Sequence, residues 1–431
     1  MRIYDIITKK KNGQELSFEE IDFAISSYMS GDVADYQISA LLMAICLKGM
    51  TKEETNNLTK VMLHSGDLID LSLFGKLSVD KHSTGGVGDK TTLIVAPIVA
   101  SLGCKVAKMS GRGLGFTGGT VDKLESLGGY KVSQNSDDFL EQVEKIGVSV
   151  IGQSGNLAPA DKKLYALRDV TATIDSIPLI ASSIMSKKLA SGSYNIVLDV
   201  KCGSGAFMKT EESATELAQA MIDIGKSFGR NIHALVTNMD VPLGYAVGNR
   251  TEVWEAIQVL SGIGEKRLTE ICIALATSIV SSALNIDTVS AKSMVEDAIS
   301  NKKALEKMKE WIAYQGGDID YINYPNKLLG ATFTYDFTAE ADGYISEMVA
   351  DKIGIASMLL GAGRIKLDDK IDYDAGIIFK KSYGDKVKCG DVIATLYSSN
   401  SSFDSSISQL KDAITISQQE PKHQKLIFAI L

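Results

Sequence analysis

Two glycine-rich segments, each placed directly after a short apolar strand candidate, constrain the fold of this chain more than any other feature. Residues 77–80 form the first strand candidate, and the glycine-rich segment 81–90 and an apolar helix candidate at 90–101 follow it. Residues 104–109 form the second, followed by the glycine-rich segment 110–120. This order of strand, glycine loop, helix and strand predicts a parallel α/β sheet. Further strand candidates lie at 149–153, 195–200 and 232–238.

Helix signals dominate the first 66 residues. Ser17 and Thr51 each open a capping-box pattern, and apolar residues recur at helical spacing between them. Two further helix candidates, at 159–168 and 178–190, interrupt the α/β pattern. We expect this insert to pack on the N-terminal helices, so that the helical domain is discontinuous in sequence. The crossing strands between the domains are then residues 67–70, 154–158 and 190–194.

Chain length and turn signals complete the domain prediction. A chain of 431 residues is too long for one simple core. From about residue 332 onward, short strand candidates with turn signals indicate a small α+β unit, whose closing stretch resembles a lipoyl-like barrel without a Met-Lys-Met hairpin. The predicted fold is α/β plus all-α, with a discontinuous helical domain at 1–66 and 159–190, an α/β domain with a mainly parallel central sheet at 67–158 and 191–331, and a C-terminal α+β subdomain at 332–431.

Charge, cysteine usage and hydropathy limit the partners. The formal net charge of -8 argues against a general nucleic-acid binder, which usually carries a basic face. The five cysteines are scattered and form no C-x-x-C pair, as in reduced proteins of a reducing compartment. The densest apolar stretch, 93–100, contains Pro97 and is far too short to span a bilayer. We therefore expect a cytoplasmic protein with no nucleic-acid and no membrane partner.

The segment 81–90 carries groups that suit an oxyanion. Its glycines let the backbone approach a ligand closely and point successive N–H groups at it, and the helix that follows presents its positive N-terminal end. Ser83 and Thr84 add hydroxyl donors, and Lys81 adds a full charge. A tight strand-to-helix turn alone would explain two of the three glycines. The lysine and the hydroxyls favour the anion site.

The segment 110–120 strengthens this prediction because it follows another strand candidate. In an open parallel sheet, loops after neighbouring strands emerge at the same carboxyl edge, where ligands bind. Neither segment has the spacing of a P-loop or of a dinucleotide fingerprint, which disfavours an NTPase or a dehydrogenase.

The helical insert contributes polar side chains of a different kind. Tyr165 and Arg168 are three residues apart and Ser183 and Lys187 four apart, so each pair lies on one helical face. Arg168 offers a planar fork for a carbonyl or an anion, and Lys187 offers a compact charge. For Arg168 and Lys187, the residues alone favour a functional role and a solvated helix face equally. A solvated face is the expectation for Lys162, Lys163 and Lys188.

Two further residues are candidates by position. His82 lies inside the anion segment, and an unperturbed histidine pKa of about 6.5 suits proton donation near neutral pH. Phe207 follows a third strand-to-glycine junction, where it either lines a base pocket or belongs to the core.

Together these segments resemble the thymidine and pyrimidine-nucleoside phosphorylase family. The similarity covers nearly the whole chain and is carried by residues 79–89, 110–120, 122–125 and 165–171. It implies a two-domain protomer with the active site in the cleft between the helical and α/β domains, and a homodimer formed through the helical domain. It also implies that phosphate attacks the anomeric carbon of a pyrimidine nucleoside and displaces the base with inversion, which gives a pentose 1-phosphate.

The resemblance also assigns roles to residues. Phosphate is the co-substrate, and no organic cofactor is implied. Phosphate binding is implied for Lys81, Ser83, Ser110 and Thr120, with Thr92 and Lys108 as further candidates. Substrate binding is implied for Tyr165, Arg168, Ser183 and Lys187, with Phe207 as a further candidate. The catalytic residues are His82, which would face the 2-carbonyl of the pyrimidine, with Arg168 and Lys187, which would stabilise negative charge on the leaving base.

Two residues depart from the family pattern. Phe116 stands where the family commonly has histidine, and Lys90 stands where relatives have a smaller residue. Lys90 falls within a potassium site that some bacterial members carry. The resemblance places this metal site at Gly88, Lys90, Leu243, Ala246 and Glu255. Because most of these ligands would be backbone carbonyls, we expect the Lys90 side chain to point away from a bound potassium ion.

Substrate breadth and two other functions stay open at this point. Lys108 resembles the members that accept uridine as well as thymidine, so uridine, thymidine and deoxyuridine are the expected substrates and a strict thymidine phosphorylase is the alternative. An anthranilate phosphoribosyltransferase shares the general fold, but it needs an acidic magnesium-binding pair and a Lys-His-Gly motif where this chain has Lys108, Met109 and Ser110. A catalytically silent nucleoside sensor would not need leaving-group stabilisers such as His82 and Lys187.

Overall fold

The computed structural model describes residues 1–113, 115, 118–153, 156–364, 366 and 369–431. Its N-terminal part consists of the helices α1 (Ile3–Lys11), α2 (Phe18–Ser30), α3 (Asp35–Lys48) and α4 (Lys52–Leu63). The predicted capping boxes begin α2 and α4. At α2, the Ser17 hydroxyl accepts a hydrogen bond from the Glu20 amide at 3.4 Å, and the Glu20 carboxylate accepts one from the Ser17 amide at 2.8 Å. Thr51 and Glu54 exchange the same pair of bonds at α4.

The first α/β segment contains β1 (Ser78–Ser83), α5 (Thr91–Ser101), β2 (Lys105–Ser110), α6 (Thr120–Glu125), α7 (Ser136–Ile146) and β3 (Val148–Gly152). The helical insert follows as α8 (Pro159–Asp169) and α9 (Ile177–Ala190), where the sequence predicts it. Each helix of the insert has a proline in its first turn, where the missing N–H leaves no hydrogen bond unmade. Leu164 and Leu179 of the insert share a buried cluster with Ile38 and Leu58, so the insert packs on the N-terminal helices, as predicted.

The chain crosses between the helical and α/β parts in segments that lie side by side. The Asp67 amide donates to the Asn156 carbonyl at 2.9 Å, and the Ile69 amide donates to the Ala190 carbonyl at 2.8 Å. The described crossing residues have no regular strand structure, contrary to the prediction, because neighbouring amides bond to different partners. Residues 154 and 155 lie outside the described residues.

The second α/β segment contains β4 (Asn195–Cys202), α10 (Glu211–Ser227), β5 (Asn231–Asn238), β6 (Ala246–Gly248), α11 (Arg250–Leu260), α12 (Lys266–Leu284), α13 (Thr288–Ser300), α14 (Lys303–Tyr314) and α15 (Asp320–Asn323). The strands β5, β4, β1, β2 and β3 lie in this spatial order and are parallel. β1 is central, between β4 and β2. The loops after β1, β2 and β4 therefore emerge together at the carboxyl edge of the sheet, which confirms the prediction for the first two.

The C-terminal part contains β7 (Phe333–Thr338), β8 (Gly343–Met348), α16 (Ala350–Ser357), β9 (Gly376–Phe379), β10 (Lys386–Val387), β11 (Val392–Ser398), α17 (Asp404–Ala413), β12 (Ile414–Ser417) and β13 (Ile427–Ile430). Among the described residues, antiparallel pairing forms two small sheets, β10-β8-β12 and β6-β9-β11-β7.

The structure corrects the predicted division into 191–331 and 332–431 at two places. β6 leaves the α/β segment and pairs with β9, and β13 returns to the main sheet, where it pairs antiparallel to β5. An edge strand such as β5 exposes unpaired backbone groups, which β13 satisfies. Such long-range pairings leave no mark in local composition.

α12 is, within the described ranges, the one helix long and apolar enough to cross a membrane. Its apolar side chains, among them Leu268, Ile271 and Leu275, are buried in the cluster that contains Val79 of β1 and Leu93 of α5. The composition of α12 therefore follows from its place in the protein core.

Candidate active site

Lys81 lies near the carboxyl end of the central strand β1, and its side chain is 4% exposed. Its ammonium group hydrogen-bonds to the Thr91 hydroxyl and lies 3.4 Å from Asp199 and 3.8 Å from Asp89. Burial acts to lower the pKa of Lys81, but the two carboxylates outweigh it and raise that pKa. Lys81 is therefore a full cation at the sheet edge where the sequence predicts an anion.

Asp89 turns the β1–α5 loop back toward this lysine. Its carboxylate accepts hydrogen bonds from the Thr91 hydroxyl at 2.6 Å and from the Thr91 amide at 3.3 Å, at the start of α5. Burial opposes ionisation of Asp89, yet Lys81 and Lys201 hold the pKa of its carboxyl well below its ordinary value. The loop thus carries a fixed carboxylate beside its fixed cation.

The predicted hydroxyl groups differ in their access to this edge. Ser83 at the end of β1, Ser110 at the end of β2 and Thr120 at the start of α6 are half-buried. Thr92 is buried in the first turn of α5, beside the small internal cavity that Lys81 also lines. Ser83, Ser110 and Thr120 are therefore partly accessible at the sheet edge, while Thr92 is buried and lines the same small pocket as Lys81.

The loop after β2 is closed on itself. Gly119 approaches Gly113 so closely that a Cβ at position 119 would lie 2.1 Å from the Gly113 nitrogen. Asp122 of α6 accepts a hydrogen bond from the Gly113 amide at 2.7 Å, and it pairs with Arg112 at 3.1 Å and with Arg364 at 2.8 Å. Leu114, Phe116 and Thr117 lie outside the described residues, and so does the predicted effect of Phe116.

Asp80, directly before Lys81, binds two buried lysines. One carboxylate oxygen accepts a hydrogen bond from Lys188 at 2.6 Å, and the other lies 3.3 Å from Lys108. The expectation of a solvated Lys188 is wrong, since its side chain is 3% exposed. The reason is that α9 packs against the sheet, where Asp80 neutralises the charge.

Lys108 also donates to the Lys81 carbonyl at 2.5 Å. Burial lowers the pKa of Lys108 to about 8, with Asp80 opposing and Lys188 adding to the effect. Lys108 is thus engaged within the protein in this arrangement. Its role toward phosphate or a ribose hydroxyl stays a prediction.

His82 lies on β1 between these charged residues. Its Nε2 is buried and has no hydrogen-bond partner among the described residues. Burial, together with Lys188 and Lys108, lowers the pKa of His82 well below 6.5. This shift favours the neutral ring near neutral pH, which can donate a hydrogen bond, and proton donation by a charged imidazole stays a prediction. A buried nitrogen without a partner suits a group that binds substrate.

A cleft of about 1120 Å³ separates the sheet edge from the helical insert. Met109, Ser110 and Arg112 line it on the α/β side, and Tyr165 and Lys187 line it on the side of α8 and α9. Of the predicted residues, the cleft brings together Ser110 from the phosphate side and Tyr165 and Lys187 from the pyrimidine side. The other predicted phosphate and pyrimidine residues do not belong to the described lining: Lys81, His82, Ser83, Thr92, Lys108, Thr120, Arg168 and Ser183.

Lys187 is the cation of the insert side. Its ammonium group donates to Asp161 at 2.6 Å and to the Ser183 hydroxyl at 3.1 Å, and it lies 5.9 Å from the centre of the Tyr165 ring. The Lys187 side chain is 21% exposed, whereas that of Asp161 is 4% exposed. The carboxylate anchors the lysine while one side of the charge stays open to the cleft.

Arg168 is buried beneath the same region. Its guanidinium donates to the backbone carbonyls of Thr173, Ile174 and Leu179 at 3.1, 2.9 and 3.0 Å. Arg168 thus fixes the connection between α8 and α9, and this use leaves two of its five N–H groups for another acceptor. Its contact with a base stays a prediction.

Phe207 does not belong to the core, because it is 54% exposed. It is also absent from the described lining of the cleft, so the structure does not bring it to the predicted base pocket. An aromatic residue after a glycine junction is too unspecific a signal to place a side chain.

Comparisons with known proteins agree with this geometry. The family described as "Glycosyl transferase family, a/b domain" matches residues 75–305, "Glycosyl transferase family, helical bundle domain" matches 4–66, and "Pyrimidine nucleoside phosphorylase C-terminal domain" matches 344–417. The chain is 52% identical to the pyrimidine-nucleoside phosphorylase of Bacillus subtilis (strain 168), over the full length of both. It is 51% identical to that of Geobacillus stearothermophilus, over 99% of each chain. This chain belongs to the pyrimidine-nucleoside phosphorylase family.

The pyrimidine-nucleoside phosphorylase family shares its fold with a more distant enzyme. The crystal structure of anthranilate phosphoribosyltransferase from Thermus thermophilus is similar to this chain with a TM-score of 0.56 and 17% identity, covering 72% of this chain and 98% of that one. At this identity the similarity concerns the fold alone.

The residues that the pyrimidine-nucleoside phosphorylase resemblance assigns to potassium do come together, but Lys90 lies among them. Its ammonium group donates to the carbonyls of Leu243 and Ala246, both at 2.7 Å, and to the Glu255 carboxylate at 2.5 Å. The expectation that Lys90 points away is therefore wrong, because these oxygens attract its charge. A potassium ion does not fit beside that ammonium. In the part of the chain that the structure describes, no group of three or more His, Cys, Asp or Glu is placed to hold a metal.

Carboxylates are the site residues that the sequence reasoning missed. Asp161 anchors Lys187, Asp80 holds Lys108, and Asp89 and Asp199 flank Lys81. A signal existed for two of them, since Asp80 directly precedes the anion segment and Asp89 lies within it, and a cation buried there needs a counter-charge. Asp161 precedes Tyr165 by one helical turn, which also places it on the cleft face of α8.

Proposed function

We propose that this chain catalyses the reversible phosphorolysis of pyrimidine nucleosides to the free base and (2-deoxy-)α-D-ribose 1-phosphate, as a pentosyltransferase of nucleoside salvage. Inorganic phosphate is the co-substrate. Uridine, thymidine and deoxyuridine are the proposed nucleosides, and the cytoplasm is the proposed compartment.

The observation that carries the proposal is the opposition of two kinds of group across one cleft. The α/β side of the cleft presents Ser110 and Arg112. The same carboxyl edge of the sheet carries the buried cation Lys81 and the hydroxyl of Ser83 on the adjacent strand. The insert presents Lys187 beside Tyr165. An oxyanion fits the first set, and a polar aromatic ring that gains negative charge fits the second.

The chemistry follows from this arrangement. An oxygen of phosphate forms a bond to the anomeric carbon while the bond from that carbon to the base nitrogen breaks, and the electron pair of that bond leaves with the base. Lys187 stabilises the charge that develops on the departing pyrimidine, and the neutral His82 donates a hydrogen bond to its 2-carbonyl. The base takes up a proton from solvent after it leaves. Closure of the cleft excludes water, which would otherwise compete with phosphate.

The proposal includes a homodimer formed through the helical domain. Tyr36, Met43 and Leu47 of α3 are exposed apolar residues, at 76%, 36% and 75%. They are seven and four residues apart, so they form one stripe along the helix. A second copy of the chain would cover this stripe.

Base release distinguishes the possible reactions. Uridine, thymidine and cytidine are incubated with the protein, with and without phosphate, and the free base and pentose 1-phosphate are quantified. We expect phosphate-dependent release from uridine and thymidine. Release from thymidine and deoxyuridine alone would support the strict thymidine phosphorylase and contradict the broad specificity.

Two outcomes would contradict the proposal as a whole. Nucleoside binding without cleavage in any arm would identify a sensor. Transfer of a pentose from phosphoribosyl pyrophosphate to anthranilate, without phosphorolysis, would identify the enzyme class that shares the fold.

A further inference from the structure

The Lys90 ammonium lies in a cage of oxygen atoms built from three parts of the chain. Lys90 directly precedes α5, the Leu243 and Ala246 carbonyls belong to the turn before and at the start of β6, and Glu255 lies on α11. The lysine side chain is completely buried and that of Glu255 is 3% exposed. The three contacts use all three hydrogens of the ammonium group.

Backbone groups of the turn before β6 fix the oxygen atoms of this cage. The Glu255 carboxylate accepts hydrogen bonds from the amides of Tyr245 at 2.6 Å and Ala246 at 2.8 Å, which fixes the carboxylate against the turn. Gly88 packs on the same turn so closely, with a φ of +74°, that a Cβ would lie 2.7 Å from the Leu243 carbonyl oxygen. The oxygens are therefore in place independently of the lysine.

A buried carboxylate favours a nearby cation, and for Glu255 that cation is the ammonium group of Lys90 in the same chain. An unpaired carboxylate at this buried position would be strongly destabilising, so the cage favours a positive charge. The next carboxylate on the same helix, Glu252, has its own lysine, Lys123, at 2.8 Å. A free cation in the cage of Glu255 would have to displace the Lys90 ammonium, since two like charges a few ångströms apart repel each other strongly at a buried site.

The cage links the anion loop to the C-terminal part. On one side of the cage, Asp89 directly precedes Lys90 and lies 3.8 Å from Lys81. On the other side Ala246 begins β6, which pairs with β9. A cation here holds the phosphate side of the cleft against the C-terminal sheets, so Lys90 acts as a positioning residue and touches no reacting atom.

We infer that the Lys90 ammonium is a built-in counter-ion that takes the place of a monovalent cation, so that neither the stability nor the activity of this chain depends on potassium. The stability part stands on these contacts alone. The activity part rests on the proposed phosphorolysis.

Thermal unfolding of the unmodified protein gives the first test. The protein is dialysed free of potassium, sodium and ammonium, and Tm and phosphate-dependent uridine cleavage are measured in tetramethylammonium chloride and in potassium chloride at equal ionic strength. We expect the same Tm and the same kcat/KM in both salts. A Tm that rises specifically with potassium overturns the inference, whether or not the protein cleaves uridine.

Variants at position 90 give the second test. Lys90→Thr empties the cage and leaves its oxygens facing a cavity, so potassium should raise Tm by on the order of 2–4 °C over tetramethylammonium and lower the raised KM for phosphate. Lys90→Met fills the cavity without a charge, and potassium should rescue neither quantity. Absence of potassium-specific rescue in folded Lys90→Thr overturns the inference.

Lys10→Thr is the matched control. Lys10 is a buried lysine whose ammonium donates to both oxygens of Glu54 at 2.7 and 2.8 Å, without a carbonyl among its described contacts. This variant should lose stability in every salt and regain none with potassium, because one carboxylate without carbonyls is a poor site for that ion. An equal rescue of Lys10→Thr would show a general salt effect and overturn the inference.

Discussion

At the scale of the residue, Lys187 is the predicted catalytic cation that lines the cleft. Lys187→Met keeps the length of the side chain and removes the charge, so kcat for uridine should fall on the order of 10²- to 10³-fold, with a smaller change in KM. The physical reason is that the charge acts on the leaving base, which is negative in the transition state and not in the bound nucleoside.

Two controls separate this effect from loss of structure. Lys187→Met/Asp161→Asn also removes the buried carboxylate that the single variant leaves unpaired, and it should retain the loss in kcat. Lys292→Met changes an exposed lysine of α13 that pairs with Glu296 at 3.7 Å, and its kcat should match that of the unmodified protein. An unchanged kcat in Lys187→Met would contradict the assigned role.

His82 makes a prediction for pH. Its pKa in the folded protein lies well below the value of 6.5 that it has when unfolded. As pH falls below 6.5 the unfolded chain binds a proton at His82 that the folded chain does not, so stability is lost toward acid. The free energy of unfolding of His82→Gln should fall less steeply toward acid than that of the unmodified protein, by up to about 1.4 kcal/mol per pH unit. Urea unfolding of both proteins at a series of pH values from 7.5 downward measures this, with pH 7.5 as the reference. The same slope of unfolding free energy against pH in both proteins would contradict it.

Lys108 makes a prediction for substrate choice. Lys108 directly precedes the cleft residue Met109 on β2, and burial lowers the pKa of Lys108 to about 8. Lys108→Met should lower kcat/KM for uridine more than for thymidine, because thymidine has no 2'-hydroxyl to lose as a partner. Equal losses for both nucleosides would assign Lys108 to phosphate alone or to the structure of the sheet edge.

At the scale of the element, the start of α2 depends on one hydroxyl. Ser17→Ala removes the acceptor for the Glu20 amide and should lower the free energy of unfolding by about 1 kcal/mol. Ser26→Ala, on the exposed face of the same helix, is the control and should change it by less than about 0.5 kcal/mol. Chemical denaturation measures both. A loss in Ser26→Ala equal to that in Ser17→Ala would show that capping is not the cause.

The same scale shows what the sequence predicted well. The strand predictions at 104–109, 149–153 and 195–200 correspond to β2, β3 and β4, because short runs rich in apolar residues between turn signals are typical of strands. The insert helices were predicted from proline at their first turns. The sequence predicts where the crossing segments lie but wrongly predicts strands there. Their backbone hydrogen bonds go to partners that are distant in sequence.

At the scale of the whole molecule, the apolar stripe of α3 predicts assembly. Leu47→Glu places a charge in the proposed interface and should shift the protein from dimer to monomer in sedimentation velocity. Val289→Glu changes an apolar residue that is 78% exposed on α13, away from α3, and should leave the dimer intact. A monomeric unmodified protein at micromolar concentration, or a dimer in both variants, would contradict the helical-domain interface.

By itself the sequence determined the order of helices and strands and the position of the two glycine loops, since periodicity, capping and glycine content are local properties. The tertiary structure decided what the titratable side chains do. It lowered the pKa of His82 by burying the ring among lysines, supplied Asp161 to Lys187 and Asp80 to Lys188, and placed Lys90 where a potassium ion was expected. The physical reason is that protonation and ion pairing depend on burial and on charges brought close by folding. The spacing of residues along the chain does not determine the distances between these charged groups.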